Sequence, residues 1–147
     1  MVYSIGDSIA ALILDNFSWL RFFGIMFIGA TLYAAEIPNY FAWIEKKTKN
    51  FSERKTTIFK TLLAIAYFNP LWITRHLFFI ELFSGKIQDV TWHLFLIGFY
   101  SFLGNIPLSL LANYLIQNKI KLTYRFLASA IFSGLMAIYY ALSYSIF

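Results

Sequence analysis

The sequence predicts an all-α integral membrane protein, a bundle of four transmembrane helices that forms one domain over residues 1–147. Hydrophobic residues make up 60% of the chain and charged residues only 13%, whereas a soluble domain carries about 25% charged residues. Aromatic residues reach 21%, and the charges lie in short clusters between long apolar stretches. Because a spanning helix needs about 20 mostly apolar residues, this length accommodates four of them.

The N-terminal segment, residues 1–16, is expected to be a short amphipathic helix on the membrane surface. Asp7 or Ser8 is its candidate N-cap. The segment has no Lys or Arg and no small-residue cleavage site, so it lacks the pattern of a secretory signal peptide. A frayed extension of the first span is the alternative. Its apolar residues recur at helical spacing at Ile5, Ile9, Leu12 and Ile13.

The spans follow at about residues 17–44, 61–83, 91–116 and 124–146. Each of the first three contains a proline beside a polar residue, and a kink is expected at each proline. In hydrocarbon such a break persists only where protein or a wet cavity receives the freed backbone groups. The three sites read Glu36-Ile37-Pro38, Asn69-Pro70 and Asn105-Ile106-Pro107.

The Lys and Arg residues between the spans predict the orientation. Six lie at 45–60 and three at 117–125, while residues 1–16 have none and the connection between spans two and three has only Lys86. Because positive residues favour the cytoplasmic side, both basic loops are expected in the cytoplasm and both termini outside. The chain has no organellar presequence pattern, so a bacterial inner membrane is the expected location.

Several function classes find no support in the sequence. The absence of cysteine excludes disulfides and thiolate metal sites. His76 and His93 show no metal-binding spacing, so no metal or cofactor is expected. No Walker loop, dinucleotide fingerprint or nucleophile elbow is present, which disfavours catalysis. The net charge of +5 is explained by loops that face an anionic leaflet, so nucleic acid is not an expected partner.

Glu36, Asn69 and Asn105 are expected to form one polar layer inside the membrane. Each stands eight to eleven residues from the cytoplasmic end of its span, which corresponds to a depth of about 12–17 Å. Because a charge at mid-membrane costs at least about 2.5–3.5 kcal/mol, Glu36 should be protonated or paired with a buried cation. The alternative is a kink held by hydrogen bonds between helices, without a ligand.

Arg75 and His76 are expected to form a second layer, nearer the outside. Arg75 is too deep to reach water without a partner, which could be an anionic headgroup, a substrate carboxylate or Glu36. A structural ion pair is the alternative to a site. His76 stands seven residues after Asn69 and shares its helix face. Three further residues are expected to snorkel to headgroups: Arg21, Glu81 and His93.

Small residues on spans three and four predict close helix–helix contacts. The span-three stripe, which could also line a narrow polar passage, comprises Gly98, Ser101, Asn105, Ser109 and Ala112. The span-four stripe comprises Ala130, Gly134, Ala137 and Ala141.

The favoured function is an oligomeric channel or transporter module for an ion or a small polar solute. Glu36, Asn69 and Asn105 would form its inner site, and Arg75 and His76 the outer part of its pathway. Because four helices leave little interior volume, a homo-oligomer is expected within the lipid bilayer. The alternative is a non-catalytic accessory or assembly subunit of a larger membrane complex. A lipid-modifying enzyme built on Glu36, Arg75 and His76 is a third hypothesis.

Overall fold

The computed structural model describes residues 2–144, without the side chains of residues 137 and 140–144. Every regular element in that range is helical, so the all-α prediction is confirmed. The first half contains α1 (Val2–Ile13), α2 (Trp19–Ile28), a π-helical turn (Gly29–Tyr33) and α3 (Ala34–Thr48). The second half contains α4 (Glu53–Tyr67), α5 (Pro70–Phe83), a 3₁₀ turn (Ile87–Asp89), α6 (Trp92–Lys119) and α7 (Leu122–Tyr144).

The long helix α6 lies at the centre of the packing. It contacts α4, α5 and α7, while α3 lies against α4 and α7. The N-terminal α1 packs against both α7 and α2. Asp15, between α1 and α2, has a φ of 54°, and this left-handed conformation, which Asp tolerates better than most residues, helps to fold α1 back onto α2.

Helix α1 packs against α7 and α2, and its predicted N-cap at Asp7 or Ser8 is wrong, while its placement on the membrane surface stays a prediction. The helix begins at Val2, which puts Asp7 and Ser8 inside it rather than at an N-cap. The buried face of α1 carries mainly small or polar residues. A Cβ added to Gly6 would overlap the backbone of Gly134 on α7. This contact accounts for Gly134 in the span-four stripe. The side chains of Ala137 and Ala141 lie outside the described part of the structure.

Arg21 is buried, so the prediction that it snorkels is also wrong. Its Nε donates to Asp7 Oδ2 at 2.8 Å and its Nη2 to Asp7 Oδ1 at 2.5 Å. The two side chains are only 7% and 1% exposed. This pair joins α1 to α2 inside the protein, where neither charge reaches solvent.

Only one of the three expected proline breaks interrupts a helix. Helix α4 ends at Tyr67 and α5 begins at Pro70, as expected. Pro38 lies within α3 and Pro107 within α6, and neither helix is interrupted there, so the kinks expected at these two prolines stay predictions. Each proline removes one backbone hydrogen bond, and the bonds on either side maintain the helix. The irregular turn of the first long helix lies earlier, at Gly29–Tyr33.

The surface of the bundle is apolar and much of its interior is polar. Trp19 is 66% exposed, Leu71 66% and Trp92 70%, whereas soluble proteins rarely expose large contiguous apolar patches. Two helical stretches in the described part of the chain, Trp19–Thr48 and Trp92–Lys119, are long and apolar enough to cross a membrane. Length and composition thus give two candidate spans where four were predicted, and the last predicted span, 124–146, ends beyond the described residues.

Candidate functional site

The break between α4 and α5 is closed by its own residues. Asn69 Oδ1 accepts a hydrogen bond from the Trp72 N–H at 3.1 Å, and Asn69 Nδ2 donates to the Ala66 carbonyl at 2.9 Å. Asparagine at the N-cap followed by proline is a favourable start for a helix. The Asn69 side chain is therefore used to cap α5, which orients this helix and the residues it carries.

Helix α5 brings Arg75 to Glu36 on α3. Arg75 Nη2 donates to Glu36 Oε2 at 2.9 Å, and Nη1 donates to Oε1 at 3.1 Å. This is the two-pronged geometry in which a guanidinium fits a carboxylate best. Both side chains remain about one-third exposed, at 32% and 34%. The pair thus neutralises two charges and leaves part of each group accessible.

This ion pair lies in an open groove between α3 and the α4–α5 break, which we call the lateral groove. The groove has a volume of about 360 Å³. Tyr40 and Tyr67 lie together in it, with ring centroids 4.5 Å apart. The residues that define it here are Glu36, Tyr40, Tyr67, Asn69, Trp72 and Arg75.

Tyr33 connects the ion pair to His76. Its hydroxyl lies 3.1 Å from His76 Nδ1, and the Arg75 guanidinium lies over its ring, 5.6 Å from the centroid. The His76 ring stacks on Trp72, with centroids 5.7 Å apart and planes 13° apart. Tyr33 and His76 are both buried. The π-helical turn supplies Tyr33, and such turns are frequent at functional sites.

Trp72 also lines a second, smaller space, which we call the inner cavity. Its volume is about 20 Å³, enough to hold about one water molecule. Trp72 lines both the lateral groove and the inner cavity. The Trp72 Nε1–H is buried without a hydrogen-bond partner among the described residues. The polar side chains around the inner cavity are His76, Asn105, Ser109, Asn113 and Ser133.

The inner cavity borders a polar face that follows α6 through the bundle. This face extends the stripe predicted on span three, and its described members are all buried. From Ser101 to Gln117 it covers 17 residues, and the 16 steps between its ends correspond to a length of about 24 Å. Gln117 is fully buried, and neither polar atom of its amide has a partner in the described structure. The face consists of Ser101, Asn105, Ser109, Asn113 and Gln117.

A second charged cluster closes the end of the bundle near the basic loops. Lys60 Nζ donates to both carboxylate oxygens of Glu45, at 2.7 and 2.8 Å, and Arg125 also pairs with Glu45. Arg125 Nε further donates to the Ile120 carbonyl at 2.9 Å. The cluster therefore ties α3 to α4 and to α7 with one carboxylate.

The structure brings the five predicted site residues together in two groups. Glu36, Asn69 and Arg75 lie at the lateral groove, and His76 and Asn105 lie at the inner cavity. Asn105 lines a different pocket from Glu36 and Asn69, and the single membrane layer expected for the three residues stays a prediction. The partner predicted for Arg75 was an anionic headgroup, a substrate carboxylate or Glu36. In the structure, Arg75 pairs with Glu36.

Tyr33 was missed by the sequence analysis. It is one of ten tyrosines, and nothing in the spacing around Gly29–Tyr33 distinguishes a π-helical turn from an α-helix. Glu81, also expected to snorkel, is half-buried, whereas His93 is exposed.

Among the described residues, no three His, Asp or Glu side chains are grouped so that they could hold a metal ion. No protein-family model, curated protein or solved structure matches this chain.

Proposed function

We propose that this chain is a four-span integral membrane protein that moves an ion or a small polar solute across the bilayer through its polar interior. The observation that carries the proposal is the buried polar face of α6, which borders the inner cavity and covers about 24 Å. The hydrocarbon core is about 30 Å thick, so a face of this length supplies polar contacts over most of it.

The distribution of side chains supports the membrane part of the proposal. Large apolar residues are exposed on α1, α2, α4, α6 and α7, which is favourable in lipid and unfavourable in water. The spans proposed beyond the two long helices are α4 with α5, and α7. A broken span such as α4–α5 is tolerated where protein or a cavity receives the backbone groups, and here Asn69 receives them.

Trp72 is the proposed gate between the lateral groove and the inner cavity. Trp72 lines the groove that holds Glu36 and Arg75 and also the cavity that Asn105 and Asn113 line. The inner cavity holds only about one water, so passage requires this indole to move. Buried polar atoms without partners, such as those of Gln117, would contact the solute or water in the opened state.

An accessory subunit of a larger membrane complex is the second candidate. The observation that favours it is the one-third exposure of the Glu36–Arg75 pair on the flank of the bundle. Polar groups on a partner helix would cover this pair, because an ion pair that faces lipid tails is costly.

Flux into liposomes tests the leading proposal. Purified protein is reconstituted, and the uptake of protons, potassium ions and glycine is followed by a pH-sensitive dye and by light scattering. We expect faster uptake of at least one of them than in protein-free liposomes. Asn105→Leu and Asn113→Leu should return it to the protein-free rate. Asn39→Leu, which removes an exposed amide on α3, is the matched control and should retain the flux.

The two candidates are separated by native mass spectrometry of the chain extracted from its own membrane. A homo-oligomer or monomer that conducts in liposomes supports the transport proposal. Folded, monodisperse protein without flux, recovered with a stoichiometric second protein, overturns it in favour of the accessory subunit.

A further inference from the structure

The lateral groove presents both signs of charge within a few ångströms. Glu36 supplies a carboxylate and Arg75 a guanidinium, 2.9 Å apart and each about one-third exposed. A simple cation drawn to Glu36 is repelled by Arg75, and a simple anion has the opposite difficulty. A ligand that carries both charges can satisfy both groups, so the site favours a molecule of zero net charge.

The ion pair has capacity left for such a ligand. A guanidinium has five N–H donors and a carboxylate has about four acceptor positions, and two of each are used between Arg75 and Glu36. The Arg75 Nε–H is buried, so the free donors of the pair are the two remaining N–H groups on Nη1 and Nη2. The Arg75 guanidinium also lies over the Tyr33 ring. The contact with the buried Tyr33 ring holds the guanidinium on the side that faces the protein interior. A ligand can therefore add to the pair without breaking it.

Aromatic residues in the groove suit the cationic part of the ligand. Tyr40, Tyr67 and Trp72 line the groove beside Glu36. Aromatic rings next to a carboxylate are the usual surroundings of bound ammonium groups, and of quaternary ammonium above all. The volume of about 360 Å³ falls in the range of small-molecule pockets, about 300–1,000 Å³.

We propose that the lateral groove binds a zwitterion that carries an ammonium group and an anionic carboxylate or phosphate. Glu36 and the rings of Tyr40, Tyr67 and Trp72 hold the ammonium group, and Arg75 holds the anionic group. The inference rests on the proposed function only where the bound zwitterion is also taken as the transported substrate. Binding itself does not require transport. The zwitterion is either a free solute or the headgroup of a lipid that enters the groove from the flank of the bundle.

Equilibrium binding to the full-length chain tests the inference without any flux measurement. The free probes are glycine betaine and glycerophosphoethanolamine, titrated by calorimetry against protein in detergent. Tetramethylammonium and acetate serve as single-charge controls. We expect saturable binding of at least one zwitterion and weaker binding, by about tenfold or more, of each single-charge control.

The lipid-borne arm uses nanodiscs and native mass spectrometry. Phosphatidylethanolamine is compared with phosphatidylglycerol of the same acyl chains. Retention of phosphatidylethanolamine alone, with no binding of the free probes, supports the inference with a lipid headgroup as ligand. Binding of the free probes supports it with a solute as ligand. If neither arm shows selective binding by folded, monodisperse protein, the inference is overturned.

Variants assign the two halves of the ligand. Glu36→Gln and Tyr40→Leu should weaken binding of the selected zwitterion on the order of tenfold, through its ammonium group. Arg75→Gln should weaken it through the anionic group. Tyr124→Leu, a change at an exposed tyrosine on α7, is the control and should leave affinity unchanged. Equal affinity in all four variants would locate the ligand elsewhere and overturn the assignment.

The outcomes are independent of those for transport. Flux without zwitterion binding would contradict the inference and leave the proposed function standing. Zwitterion binding without flux of that zwitterion would support the groove as a binding site and contradict the transport of its ligand.

Discussion

Two of the arginine–carboxylate pairs among the described residues have similar geometry in very different surroundings. Asp7 and Arg21 are 1% and 7% exposed, whereas Glu36 and Arg75 are 34% and 32% exposed. Both pairs make two hydrogen bonds across neighbouring helices. Only the second lies in an open groove with aromatic walls.

This difference separates a structural pair from a site. In the closed pair, the protein supplies all the compensation that the two charges receive, so losing one partner leaves the other buried and uncompensated. In the open pair, solvent or a ligand shares that role, so each charge can exchange partners. The comparison predicts a large stability effect at Asp7–Arg21 and a small one at Glu36–Arg75.

The largest effect is expected from Arg21→Met. The change leaves the Asp7 carboxylate, which is 1% exposed, without its cation. Breaking a buried pair in this way costs about 3–5 kcal/mol. The measurement is the free energy of unfolding in detergent, followed by near-ultraviolet circular dichroism.

The control for this prediction is the double variant Asp7→Leu with Arg21→Met. Replacing both charges by apolar residues often restores stability, because no uncompensated charge remains. Recovery of at least half the loss would support the account. A single variant as stable as the parent chain would show that Asp7 does not depend on Arg21.

A smaller loss is expected from Gly6→Ala, next to the closed pair. The added Cβ would overlap the Gly134 backbone, so α1 and α7 must separate. Overpacking of this kind typically costs about 1–3 kcal/mol. Gly29→Ala is the matched control, because its Cβ would meet nothing nearer than the Tyr3 ring at 3.4 Å. Equal stability of both variants would mean that α1 does not dock where described.

The two pairs also show how far the sequence could predict the structure. Glu36 and Arg75 lie deep within apolar spans, where a charged side chain needs a partner. Their pairing was therefore among the predicted possibilities. Asp7 and Arg21 lie near predicted interfaces, where water is a sufficient partner. Their contact depends on the turn at Asp15, which folds α1 back, and single-residue patterns do not reveal such a turn.

Helix periodicity predicted the polar face of α6 well, from Ser101 to Ser109, because a 3.6-residue repeat is local. The position of Asn105 relative to Glu36 was not predicted, since the rotation of each helix depends on packing across the bundle. Proline was a reliable break signal only at Pro70, where Asn69 caps the following helix. At Pro38 and Pro107 the preceding residue provides no such cap, and the helices continue.

The smallest stability effect is expected from Glu36→Gln. The substitution keeps the size of the side chain and one hydrogen-bond acceptor for Arg75, and it removes a charge that is already one-third exposed. Partly exposed ion pairs contribute about 1 kcal/mol or less to stability. The free energy of unfolding should therefore fall by no more than this. Arg21→Met, measured under the same conditions, is the reference for a large loss of unfolding free energy.

If Glu36→Gln lowered the free energy of unfolding as much as Arg21→Met does, the Arg75 charge would have no compensating group other than Glu36. The groove would then be closed to water and ligand, and the distinction between the two pairs would fail. A small loss of stability together with a large loss of zwitterion binding is the combination that a site, but not a structural pair, requires.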